Sequence, residues 1–232
     1  MHESLDEHML ERILQGNQDL ANHNREHFDE SGIFAINLMS APGAGKTSLL
    51  EKTISSLVPK WKSSVIEGDM VGELDAARLR HLGTRVKQIC TGRSCHLDAS
   101  MLARELHNGH FLDADFLFIE NVGNLVCPAE FPLGEHKRVV LLSVSEGDDK
   151  PLKYPIIFRN CDAVLFTKCD LLPYVNFDRT AASEHIRTLN ADADIFSISV
   201  VNDEGVDEWL EWLRSKAREK RELRQPGNRS AL

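Results

Sequence analysis

The chain of 232 residues carries 42% hydrophobic side chains, enough to build a sizeable core in one α/β domain. Its formal net charge of -9 repels phosphate-rich partners, which sets aside nucleic acid and the membrane surface as ligands. No apolar run approaches the ~20 residues of a membrane span, and MHESLDEHML lacks the basic-then-apolar order of a signal peptide, so a cytoplasmic protein is expected.

Leu5, Met9 and Ile13, with Leu10 and Leu14 beside them, recur on a helical period and predict an N-terminal helix over 3–29, ended by Ser31-Gly32 and docked on the main domain. Short apolar runs then alternate with helical stretches: Ile33–Leu38, Val65–Ile66, Val86–Ile89, Phe116–Ile119, Val139–Val144, Ala163–Phe166 and Ile195–Ser199. Such alternation predicts βαβ units, hence a mainly parallel sheet flanked by helices, with ligands gathered at the carboxyl ends of the strands. After Trp212 the segment SKAREKRELRQPGNRSAL loses its apolar period and gains basic residues. The expected organisation is a helical extension over 1–30, a nucleotide-binding domain over 31–214 and a frayed basic tail over 215–232.

The first strand runs into Ser40-Ala-Pro-Gly-Ala-Gly-Lys-Thr47 and then an apolar helix over Ser48–Leu57. Glycines at 43 and 45 let the backbone curl so that successive N–H groups converge on phosphate oxygens at a helix N-terminus. Pro42, Gly43, Ala44, Gly45, Lys46, Thr47 and Ser48 are therefore candidate phosphate contacts, with Lys46 on the β and γ phosphates and Thr47 on Mg2+. Ser40 stands where the general pattern begins with glycine.

Two acidic strand ends complete a candidate catalytic set of Lys46, Asp69, Glu120 and Gly123. Asp69 closes the segment VIEGD, and Glu120-Asn-Val-Gly123 follows the buried-looking run Phe116–Ile119. Asp69 and Glu120 offer the hard oxygens that Mg2+ prefers, and Gly123 suits a backbone N–H that senses a γ-phosphate. Asp75 is a more distant candidate.

Thr167-Lys168-Cys169-Asp170 matches a guanine-reading motif after a late strand. Asp170 can accept two hydrogen bonds from guanine N1–H and its 2-amino group, a pair of donors that adenine lacks. Lys168 lends an aliphatic stem to the base. Ser199-Val200 lies where a backbone N–H would reach O6.

Cys95-His96 precedes the helical run Leu97–His107, and Cys127-Pro128 follows Glu120 by seven residues. Two thiolates and an imidazole suit Zn2+ or Ni2+ and leave a coordination position open for exchange. His23 and His27, one helical turn apart on a polar face, read as solvated. Cys90, Cys161 and Cys169 read as structural.

The segments VIEGD, TGRSCHLDA, IENVGNLVCP, SVSEGDDKPLKYP and TKCDLLPYVNFD closely resemble the HypB family, the nickel-incorporation GTPases of [NiFe] hydrogenase maturation, over nearly all of residues 30–213. That family also has serine at the position of Ser40. The resemblance implies an α/β P-loop NTPase of the SIMIBI type and a Mg2+-dependent GTPase of low intrinsic rate. It further implies a GTP-promoted homodimer with Cys95, His96 and Cys127 holding Ni2+ or Zn2+ near the subunit interface. The implied partners are a small zinc-containing nickel chaperone of the HypA type and the hydrogenase large subunit. Some members carry an N-terminal Cys-x-x-Cys-Gly-Cys site or a His-rich tract, and this sequence contains neither. The competing readings are a related GTPase serving urease and a metal store whose hydrolysis is incidental.

Overall fold

The computed structural model describes residues 2–69, 74–107, 111 and 113–223. Seven strands form one sheet: β1 Phe34–Ser40, β2 Ser63–Asp69, β3 Arg85–Cys90, β4 Phe116–Glu120, β5 Lys137–Ser143, β6 Ala163–Thr167 and β7 Asp194–Ser197. All pair in parallel, in the order β3-β2-β4-β1-β5-β6-β7. A parallel strand covered on both faces reads as an unbroken apolar run, and β1, β4 and β6 are buried at every residue. β2 is longer than its apolar pair Val65–Ile66, because Ser63, Ser64, Glu67 and Gly68 are in register with a neighbouring strand and carry ladder hydrogen bonds without an apolar signature.

The helices are α1 His2–Ser31, α2 Lys46–Leu57, α3 Leu74–Arg80, α4 Ala99–His107, α5 Lys150–Lys153, α6 Pro155–Arg159, α7 Arg179–Leu189 and α8 Val206–Leu223. Side chains alternate across β1. Phe34, Ile36 and Leu38 face a core built with α2 and α8, where Trp209 and Trp212 stack at 5.4 Å. Ala35 and Met39 face the opposite core, under α1, α4, α6 and α7.

α1 docks, but not through the apolar period that predicts it. Met9, Leu10 and Ile13 are 66%, 52% and 53% exposed, and the side chain of Leu5 lies outside the described residues. The docked face is Asn17, Ala21, Asn24 and Phe28, all buried. Asn17 donates to the Pro132 carbonyl at 2.8 Å and accepts from Ala99 N–H at 2.8 Å, while Asn24 donates to the carbonyls of Ala99 and Leu133. Amides bonded to backbone groups replace greasy contacts here, with only Asn24 Oδ1 left without a partner among the described residues, and a hydrophobic period does not register them. Gly134 permits the approach: a Cβ there would stand 2.5 Å from the Ala21 carbonyl, at a φ of +96°.

Of the segment expected to fray after Trp212, the part up to Leu223, the last described residue, is helical. Ala217 is buried, the Arg221 guanidinium lies 4.5 Å over the Trp61 ring, and Lys220 reaches the Ile33 carbonyl and Asp29. Basic side chains pin this segment by cation–π and charge-assisted contacts. Residues 224–232 of the expected tail lie outside the described residues.

Candidate functional site

Between β1 and α2 the chain turns through Gly43 (φ 75°) and Gly45 (φ 96°), left-handed positions that a side chain would strain. Gly45 caps α2, so the free N–H groups of its first turn face the loop. Lys46 is buried and donates to the Ser40 hydroxyl at 2.9 Å. Burial holds its ammonium pKa below the usual lysine range, with Glu120 pulling the other way. A desolvated cation with one neutral partner is poised to gain from an incoming phosphate.

Registers Leu38↔Glu120 and Glu67↔Glu120 bring the ends of β1, β2 and β4 level. Glu120 accepts from the Thr47 hydroxyl at 2.8 Å, which joins the segment Glu120-Asn-Val-Gly123 to the phosphate loop. Gly123 lies against that loop as well: a Cβ there would stand 2.9 Å from Pro42 Cα, so only glycine fits. Burial pushes the Glu120 carboxyl up to about 7 against the pull of Lys46 and Thr47. Glu67 is pushed up to about 8, by burial first and then by the Glu120 charge. One oxygen of each, Glu67 Oε2 and Glu120 Oε2, is buried with no hydrogen-bond partner among the described residues. Orphaned carboxylate oxygens beside a threonine hydroxyl form a hard-oxygen set that fits Mg2+. Asp69 sits half-buried at the end of β2 and adds its charge to Glu67. Asp75 is spent on Arg78 at 3.2 Å, and the same guanidinium reaches Glu51 and Ser48.

Glu67 is a site residue that the sequence reading missed. Its signal is the spacing Glu67-x-Asp69, which puts two acids on one face of a strand. It carries a pH prediction. Both carboxyls are raised in the folded chain, so the folded state binds more protons than the unfolded one between about 4.5 and about 8. Stability of the nucleotide-free protein therefore falls as pH rises through that window. His136, lowered to about 4 by burial, acts in the opposite sense only below its ordinary 6.5. Denaturant unfolding without Mg2+ is expected to show lower stability at alkaline than at neutral pH, a slope that Glu67→Gln flattens; an unchanged slope would remove Glu67 from the shared site.

The base motif closes over a cavity of about 560 Å³ lined by Ala44, Gly45, Thr167, Lys168, Asp170 and Val200, among others. Thr167 donates to the Ala44 carbonyl at 2.7 Å and so ties β6 to the phosphate loop. Lys168 is held left-handed at φ 58°, a strained turn that sets Asp170 on the cavity wall. The Ser199 hydroxyl donates to Asp170 at 2.7 Å. The Ser199 N–H bonds the Glu204 carbonyl at 3.0 Å, while Val200, the other residue of the expected Ser199-Val200 pair, lines the cavity.

Cys95, His96 and Cys127 converge, with one potential ligand atom from each within 4.8 Å of the others. The sulfurs are 3.0 Å apart and both thiols are free. The bond from Cys95, then burial, raises the Cys127 thiol pKa. Burial lowers that of His96, favouring the neutral imidazole that metals bind, and its ring packs on Phe131 at 4.1 Å. Cys161 is buried, its thiol pushed up to about 12 chiefly by burial, and Cys169 is buried as well, both in keeping with structural roles.

Two asparagines that sequence alone does not single out bond the segment after Glu120 to the backbone at Cys95 and Leu97. Asn121, next to Glu120, accepts from the N–H groups of Leu97 and Val122 and donates to Asn37 on β1. Asn124, next to Gly123, donates to the Cys95 carbonyl at 3.2 Å and accepts from Val126 N–H. Gly68 lets β2 approach the same segment, since a Cβ there would lie 2.6 Å from the Leu97 side chain.

A glycine-rich loop at the head of a parallel sheet, open to a base-sized cavity, defines a P-loop nucleotide-binding protein. Residues 34–197 match the family model described as CobW/HypB/UreG, nucleotide-binding domain, and the chain belongs to that family, on its HypB branch. It is 48% identical over 201 residues to Hydrogenase maturation factor HypB of Azotobacter chroococcum mcd 1, covering 87% of this chain and 66% of that one. The chain thus spans just under two thirds of that relative. The crystal structure of HypB from Helicobacter pylori in complex with nickel is similar at a TM-score of 0.83 and 40% identity, covering 88% of this chain and 96% of that one. Hydrogenase Maturation Factor HypB from Archaeoglobus fulgidus matches at the same TM-score and identity, over 88% and 99% of the two chains. No helix among the described residues is long and apolar enough to cross a membrane.

Proposed function

We propose that the protein is a GTP-hydrolysing metallochaperone that uses its nucleotide state to deliver nickel to the large subunit of a [NiFe] hydrogenase. The observation that carries this reading is the pair Asn121 and Asn124, which bond the switch after Glu120 to the backbone of Cys95 and Leu97. Similarity to proteins named hydrogenase maturation factor, one of them solved with nickel, supports the cargo and the client.

GTP enters with its base against Asp170 and Lys168 and its phosphates over Gly43 to Ser48. Lys46 neutralises charge on the β and γ phosphates as water attacks the γ-phosphorus and the bond to the GDP oxygen breaks. Bound Mg2+ would be held by Thr47 and Glu120, with Asp69 and Glu67 beside them, and supplies charge neutralisation at the phosphates. Gly123, packed on Pro42, reports whether the γ-phosphate is present. Asn124 and Asn121 pass that displacement to Cys95, His96 and Cys127, changing ligand geometry and releasing the ion. GTP favours a homodimer, and a small zinc-containing protein of the HypA type exchanges nickel with it.

Asp170→Asn is expected to weaken GTP binding by about 10²–10⁴-fold, the worth of two hydrogen bonds to a charged acceptor. It should favour xanthosine triphosphate, whose 2-oxo group accepts from the new amide. Nucleotide competition measures both, and unchanged GTP affinity would sink the base assignment. The whole reading is tested by activating a nickel-free hydrogenase large subunit with purified protein, Ni2+ and GTP. Activation that needs both GTP and Cys127 supports it; activation indifferent to either contradicts it.

A further inference from the structure

Helix α1 carries His23 and His27 one turn apart, on the same face. Their Nε2 atoms stand 3.2 Å apart and the rings meet edge-on, at 4.6 Å and 82°. Asn17 and Asn24 clamp α1 onto the first residue of α4. That clamp brings the last residue of α4, His107, alongside, with its ring centroid 5.9 Å from His27 and 6.4 Å from His23. Three imidazoles from two rigid helices therefore converge at the surface, remote in sequence from the nucleotide motifs.

We infer that His23, His27 and His107 form a second metal site, an all-imidazole site for a borderline divalent ion such as Ni2+ or Zn2+. Nitrogens bound 2.0–2.1 Å from one ion lie about 2.9 Å apart at a right angle and about 3.3 Å apart at the tetrahedral angle. The observed 3.2 Å between His23 and His27 falls within that range. His107 is exposed and, as placed, lies outside shared coordination with the other two, so binding requires it to change rotamer, a picosecond-to-nanosecond motion for an exposed side chain. A set of imidazoles without carboxylates selects borderline transition ions over Mg2+ and Ca2+. α4 begins three residues after His96 and ends at His107, so about 12 Å of one helix separates this site from the cysteine cluster. The site is a holding position for the same class of ion.

The test uses the full chain with Cys95→Ser and Cys127→Ser, titrated separately with Ni2+ and with Zn2+ by calorimetry and equilibrium dialysis. One equivalent should remain, without thiolate-to-metal absorption. Adding His23→Gln and His27→Gln should abolish it, and His107→Gln alone should weaken it. GTP binding, unchanged in the histidine variants, reports an intact fold. No residual equivalent in the cysteine variant, or one that survives the loss of both α1 histidines, would overturn the inference. Because the cysteine cluster is absent throughout, the outcome is independent of the function proposed for it.

Discussion

Lys46→Ala is expected to slow GTP hydrolysis by about 10²–10³-fold, the typical effect of removing one preorganised donor from developing transition-state charge. It should also abolish the rise in melting temperature that GTP gives by binding only the folded state. The nucleotide-free protein should melt almost where the native chain does. In that state the Lys46 ammonium is desolvated and bonds a single hydroxyl, that of Ser40, so its loss relieves a cost as well as a contact. Glu120 loses a compensating charge in the variant, and its carboxyl is driven further upward. Differential scanning fluorimetry with and without GTP, beside a phosphate-release assay, measures all three. A variant that fails to fold without nucleotide would make Lys46 a structural residue.

Cys127→Ala is expected to weaken Ni2+ or Zn2+ binding at the cysteine cluster by more than the ~10–100-fold that outer-sphere partners are worth, since a ligand itself is lost. This substitution is cleaner than one at His96, whose ring also packs on Phe131 and would take that contact with it. Cys127 opens a short 3-10 turn behind the exposed Val126, so the fold should tolerate alanine. Affinity by competition with a chromogenic chelator, together with an unchanged melt, is the expected pair of results. Unaltered affinity would remove Cys127 from the ligand set.

The elements most legible in the sequence are those whose signal is local. Parallel strands buried on both faces announce themselves as apolar runs, and the phosphate loop and base motif consist of neighbours whose spacing is the chemistry. Relations between distant segments leave no such trace. Asn121 and Asn124 look like ordinary turn residues until the fold sets them beside Leu97 and Cys95. Glu67 reads as a polar interruption of β2 until register places it opposite Glu120. The docking face of α1 is half amide, so its apolar period points to the side that solvent covers. Basic composition near the C-terminus suggests fraying, whereas Lys220 and Arg221 find Ile33, Asp29, Asp115 and Trp61 across the domain.

Transmission from nucleotide to metal is the central claim, and it is tested most directly by titrating Ni2+ into protein loaded with GDP or with a non-hydrolysable GTP analogue. The same titration on Asn124→Ala isolates the bond from the switch to Cys95. Nickel affinity is expected to differ between the two nucleotide states in the native chain and to become equal in Asn124→Ala. Equal affinity in both states of the native chain would contradict transmission through the switch.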